Sequence, residues 1–141
     1  MAALTTTADL PPVERVFSKA ELLEVQHLVR QVPVSPHVVS YAVALARATR
    51  PHAPEGTAMM RQYAQWGAGP RASQYLLLGA KALAVMEGKP TASANDVRQV
   101  APHVLRHRVI PNYAAVADDI TAAHLVEDLL RQVKEPAYET M

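Results

Sequence analysis

The stretch Trp66-Gly67-Ala68-Gly69-Pro70-Arg71 holds the chain's clearest chemical signal. Gly69 and Pro70 read as a helix start, because proline is favoured at the first helical position, where its missing N–H has no partner to lose. Arg71 then falls in the first turn, followed by Ala72. That end of a helix is the positive pole of the macrodipole, so a cation there is unfavourable by roughly 0.3–1 kcal/mol. A docked anion reverses the sign, since the free N–H groups and the guanidinium converge on the same phosphate oxygens. Gly69, Pro70, Arg71 and Ala72 are therefore the candidate phosphate-binding residues, with Arg71 the charged one. The competing reading is a solvated arginine that reaches away from the helix pole.

Other chemistry is sparse. The sequence has no G-x-x-x-x-G-K-[ST] phosphate loop, no G-x-S-x-G elbow, no H-E-x-x-H and no cysteine. His103 and His107 stand four apart and share a helix face, but Arg106 and Arg108 flank them and no acidic ligand is near in sequence. Zinc sites want three or four convergent ligands, so a surface or interface role is the better reading, and no metal is expected. Asp118-Asp119 precedes a helix starting at Thr121 and reads as favouring that N-terminus rather than as an acid–base pair. His27, His37, His52 and His124 are scattered and read as ordinary polar positions.

The elements that position these residues follow from spacing. Ser18 and Glu21 form a capping box, flanked by Phe17 and Leu22 as a hydrophobic staple. Leu22, Val25, Val29 and Val32 then recur on one helical face until Pro33. Ser35-Pro36 starts a second helix with Val38, Ala42, Leu45 and Thr49 in one stripe. Residues 57–66 read as a short helix or an irregular crossing segment. From Arg71 to Glu87 the helix is apolar most of the way round, which marks a central, buried helix. Gly79 inside it costs about 1 kcal/mol against alanine, so a close neighbouring helix is expected there. Gly88 ends it. Ser93 and Asp96 cap a further helix in which Pro102 predicts a kink or a division in two. "VIPNYAAVADD" reads as loop, and the last helix carries Leu125, Val126, Leu129, Leu130 and Val133. No alternating strand pattern stands out.

The sum is an all-α chain, a compact bundle of five or six helices, preceded by an irregular N-terminal segment. Its 141 residues make one domain. A net charge of +1 gives no electrostatic case for nucleic acid or an anionic membrane, and argues against a DNA-binding helix-turn-helix. No apolar run approaches the ~20 residues of a membrane span, and the first residues lack a signal peptide's n- and h-regions. A cytoplasmic location is the expectation.

Three segments together resemble the C-terminal lid domain of MoxR-type AAA+ ATPases: "VSPHVVSYAVALARATRPH", "WGAGPRASQYLLLGAKAL" and "ANDVRQVAPHVLRHRV". The lead-in "VERVFSKAELLEVQHLVRQVPVS" is similar to the helix that opens that lid. The resemblance covers about Val13 to Val133. Gly69 stands where that family usually has serine. It implies a lid over 17–134, a preceding tail and linker over 1–16 and a C-terminal tail over 135–141. It also implies that Arg71 is the sensor-two arginine, contacting the γ-phosphate of ATP held with Mg²⁺ in a preceding core domain. The Walker A, Walker B, sensor-one and arginine-finger motifs of such a core are not in this sequence, so the chain alone is not expected to hydrolyse ATP or to bind it tightly. Family members are generally hexameric chaperone-like motors, many acting with von Willebrand factor A domain proteins. Arg50, Arg106, His107 and Arg108 are then expected to join lid to core or to a neighbouring subunit. The rival expectation is a free-standing helical interaction module using an apolar patch around Met59, Met60, Tyr63 and Trp66.

Overall fold

The structure, a computed structural model, describes residues 14–136. The readings of residues 1–13 as linker and 137–141 as tail lie outside them. Seven helices are formed among the described residues: α1 (Lys19–Gln31), α2 (Pro36–Ala48), α3 (Ala58–Tyr63), α4 (Arg71–Met86), α5 (Ala94–Leu105), α6 (Tyr113–Ala117) and α7 (Ala122–Gln132). Five are 11 residues or longer, and α3 and α6 are short connectors. None is long and apolar enough to cross a membrane.

Each long helix begins where local chemistry satisfies its free N–H groups, except α4. Ser18, Ser35, Ser93 and Thr121 accept from first-turn N–H groups of α1, α2, α5 and α7. His124, read as an ordinary polar position, completes the α7 cap: its Nδ1 accepts from the Thr121 N–H at 3.2 Å. Gly88, at φ +67, ends α4 in a Schellman turn, with the Gly88 N–H on Val85 O at 3.1 Å and the Lys89 N–H on Ala84 O at 2.8 Å.

The core lies between α2, α4, α5 and α7. Tyr41, Leu45, Met60, Leu76, Leu105, Leu125 and Leu129 are its largest fully buried side chains. Helix α4 packs on α1, α2 and α5, but only Ala72, Leu76, Ala80 and Ala84 are fully buried. Three of these four are alanines, which lets the neighbouring helices come close while the leucines fill the flanks. A Cβ at Gly79 would stand 3.3 Å from Val100 Cγ2, so the expected close neighbour is α5.

Several expectations fail for identifiable reasons. The α1 stripe is not a core face: Val32 is buried and Val29 half-buried, but Leu22 and Val25 are exposed. The helix leans on α4 near its C-terminus, where Lys81 Nζ donates to Arg30 O at 3.3 Å, and its first half is exposed among the described residues. Helix α5 runs through Pro102 without dividing. The segment read as loop contains strand β2 (Ile110–Pro111) and α6. Strand β1 (Ala64–Trp66) follows α3 and pairs with β2 antiparallel, Trp66 opposite Ile110. Two- and three-residue strands are too short to show a period of two.

Asp118 and Asp119 also finish the helix before them. Asp119 takes φ 56 and ends α6 in another Schellman turn, with the Ile120 N–H on Ala115 O at 2.7 Å. Asp118 Oδ2 accepts from the Tyr63 hydroxyl at 2.9 Å, which raises the Tyr63 pKa and ties α3 to α6.

Asp96 is fully buried at the start of α5. It accepts from the Ser93 N–H at 2.8 Å, the Ser93 hydroxyl at 2.7 Å and Lys89 Nζ at 2.8 Å. Burial pushes its carboxyl up, but the bonds from Lys89 and Ser93 together outweigh burial and leave its pKa below the ordinary aspartate value. A folded pKa lowered below the unfolded one adds stability above the unfolded value, about 3.9, and that stability is lost as pH falls through the folded value. Asp96→Ala should therefore cost about 1–3 kcal/mol at neutral pH, by orphaning Ser93 and Lys89 donors. The gap to the parent should close in urea melts carried down through the acid range. A gap that stays constant with pH would remove the carboxylate as the cause.

Candidate functional site

The site is built on the junction between the end of α2 and the start of α4. Thr49, placed in the apolar stripe of α2 by its spacing, is fully buried but does polar work. Its hydroxyl donates to Ala46 O at 2.7 Å and accepts from the Ala68 N–H at 2.8 Å. A Cβ at Gly67 would collide with the Thr49 carbonyl, so only glycine lets the two segments meet. Arg50 Nε donates to Ala68 O at 3.3 Å. The turn before α4 is thus held from three sides by Thr49 and Arg50. Thr49→Val keeps the shape and removes the bonds. It should cost about 1–3 kcal/mol, because the buried Ala68 N–H is left without an acceptor. Thermal unfolding of the two chains measures it, and an unchanged melting point would mean that the junction does not depend on the hydroxyl.

What this junction presents is Arg71. Pro70 already has helical dihedrals, φ −57 and ψ −31, and no side chain caps the helix. The Ala72 N–H is taken by Gly69 O at 3.0 Å, and the Ser73 hydroxyl donates to Pro70 O at 2.8 Å. The remaining first-turn N–H groups have no intrahelical acceptor. Gly69, Pro70 and Arg71 are exposed, whereas Ala72 is fully buried and faces the core. The Arg71 side chain has no hydrogen bond or ion pair among the described residues. A lone guanidinium and an uncapped positive pole of a 16-residue helix therefore share one surface. That is an electrostatic arrangement stable only as a compromise, and an anion satisfies both parts.

An open groove of about 490 Å³ adjoins this surface, lined by Arg50, Pro51, His52, Trp66 and the 67–70 turn. Trp66 is 65 % exposed there. Among the described residues no three His, Asp or Glu side chains converge as a metal site. His103 and His107 stand elsewhere, beside a different groove between α4 and α5. The apolar patch also differs from expectation. Met60 is fully buried, and Met59 and Tyr63 pack on the core, so of the expected group only Trp66 is exposed. Ile110, the strand partner of Trp66 in β2, is exposed, as are Tyr113 and Val116 of α6. Thr49 and Gly67 were missed because nothing in their own spacing points across the 18-residue gap between them.

Comparison with known proteins decides the family. The model of the AAA lid domain matches residues 57–129, more than half of the chain. The chain belongs to the AAA lid domain family. Its relatives make it a lid of the MoxR-type AAA+ ATPases. The lid is 32 % identical over 126 residues to the chaperone MoxR1 of Mycobacterium tuberculosis, a match covering 89 % of this chain and 33 % of that protein. It is 32 % identical over 110 residues to the MoxR protein of Methylorubrum extorquens, covering 74 % of this chain and 31 % of that one. A crystal structure of a candidate ATPase from Cytophaga hutchinsonii superposes with a TM-score of 0.85 at 29 % identity, covering 96 % of this chain and 41 % of that one. The lid thus spans about a third of the length of the curated relatives it matches.

Proposed function

We propose that this lid supplies Arg71 as the sensor-two arginine to ATP bound in the core domain of a longer parent protein. The lid unit is 17–134, joined to that core through the segment before it. The observation that carries the reading is the Arg71 guanidinium, without a partner among the described residues, at the uncapped, positive end of α4, held in place by the Thr49–Gly67 junction. Bound Mg·ATP supplies the γ-phosphoryl group that passes to water. Arg71 and the first-turn N–H groups fit a terminal phosphate oxygen, and Arg71 stabilises developing negative charge without forming a bond. In this reading Mg²⁺ is held with ATP in the core domain of the parent. Contact with the γ-phosphate draws the lid toward the core, and its loss releases the lid.

That lid motion couples hydrolysis to chaperone-like maturation work. Neighbouring subunits, six in a ring, a von Willebrand factor A domain protein and a cytoplasmic setting complete the proposal. The test is ATP turnover by the full-length protein carrying Arg71→Ala, with Arg131→Ala, an exposed arginine on α7, as the control. A second reading, an interaction module without nucleotide chemistry, is favoured by the exposed Trp66, Ile110, Tyr113 and Val116. Equal turnover in both variants would bring it forward.

A further inference from the structure

Arg71 is placed by its neighbours rather than by bonds of its own side chain. Ala68 and Ala72, on either side of it in sequence, are both buried, so the backbone that carries the guanidinium is pinned at two points. Ala68 is held through both of its backbone groups. Its N–H donates to the Thr49 hydroxyl at 2.8 Å, and its carbonyl accepts from Arg50 Nε at 3.3 Å. The direction of the chain at Ala68 therefore sets the direction in which residues 69–71 leave it.

Thr49 and Arg50 are adjacent but contribute differently. The Thr49 bond is buried, and its loss orphans a donor. The Arg50 side chain is half-buried and its bond is long, so water can replace it at Ala68 O with little effect on folding. What water does not replace is the fixed orientation of that carbonyl.

Arg50 is itself well fixed. Its N–H donates to Arg47 O at 3.0 Å, and its carbonyl accepts from the Ala53 N–H at 3.2 Å. A Cβ at Gly67 would stand 2.7 Å from Arg50 Cα, so the turn lies directly against the Arg50 backbone. Arg50 borders both the groove with Trp66 and a second groove of about 310 Å³ with Arg47 and Ser73, and Pro70 is common to the two. Glu55, on that second groove, is paired with Arg47. The Nε–H of Arg50 is spent on the turn that leads into Arg71.

We propose that Arg50 is a positioning residue for Arg71. It holds the Ala68 carbonyl and, through the 68–71 segment, fixes where the Arg71 guanidinium stands, without touching the nucleotide. This role rests on the sensor-two reading. A misplacement of about 1 Å can cost on the order of 10²-fold in rate, so a bond that adds little to folding can matter for turnover.

Arg50→Met keeps the stem and removes the donor. In this chain the Ala68 and Ala72 N–H groups should then exchange with solvent on the order of tenfold faster, with the melting temperature close to the parent's. In the full-length protein, Arg50→Met should lower kcat on the order of tenfold and leave KM for Mg·ATP nearly unchanged. Arg50→Lys, which keeps a donor, should recover part of the loss. Arg71→Ala and the double variant should turn over equally, because nothing is left to position. Unchanged exchange at both amides, parental turnover in Arg50→Met, or a markedly lowered melting temperature would overturn the proposal. So would a double variant slower than Arg71→Ala by the full Arg50→Met factor, since Arg50 would then act on its own. Each of these leaves the sensor-two reading standing, whereas parental turnover in Arg71→Ala would end that reading and the positioning role with it.

Discussion

Arg71→Ala in the full-length protein should lower ATP turnover by on the order of 10²-fold, the scale seen when one preorganised charge-stabilising donor is removed from a transition state. The same substitution should leave the lid folded, because the Arg71 side chain is exposed and makes no bond among the described residues. It should even stabilise the isolated lid by about 0.3–1 kcal/mol, since a cation leaves the positive pole of α4. Activity and stability then move in opposite directions, which a merely structural arginine would not do. Arg71→Lys should recover part of the turnover, keeping the charge while losing the two-pronged geometry. Steady-state ATPase assays and thermal melts of the lid measure the two sides. Turnover equal to the parent's would end the sensor-two assignment, and a destabilised lid would show that Arg71 has a structural partner.

Leu76→Ala should have the largest effect on folding. Leu76 is fully buried on the innermost line of α4, among Ala72, Ala80 and Ala84. Truncation removes burial and leaves a cavity that close-packed helices cannot refill, at a cost of about 2–5 kcal/mol. Leu83 of the same helix is half-buried, so Leu83→Ala should cost distinctly less. Urea unfolding of both variants measures the difference. Equal losses would mean that the flank of α4 is as tightly enclosed as its centre.

The same contrast runs through the rest of the chain. Features written in neighbouring residues were legible: the caps at Ser18, Ser35 and Ser93, the helix start at Thr121, the Gly88 stop, and the glycine at 79 that admits α5. A cap is a bond between residues three apart, so spacing reveals it. Features set by distant partners were not. His37 reads as an isolated polar residue, yet its Nε2 lies 2.6 Å from Glu135 Oε1, 98 positions away. The stripe on α1 has the period of a core face but meets too little of the fold to be one.

The candidate site divides along the same line. By itself the sequence determined that a helix starts near Pro70, that Arg71 stands at its positive end, and that the chain folds as a helical bundle. Those properties rest on proline geometry, backbone dipoles and helical periodicity, all of which act within one or two turns. Only the tertiary structure decided that Thr49 and Gly67 lock the turn, that Ala72 faces inward, and that Arg71 is left without a partner among the described residues. Which polar groups are paired, and which are left open, depends on what the folded chain brings within hydrogen-bond reach, and local spacing carries no record of it.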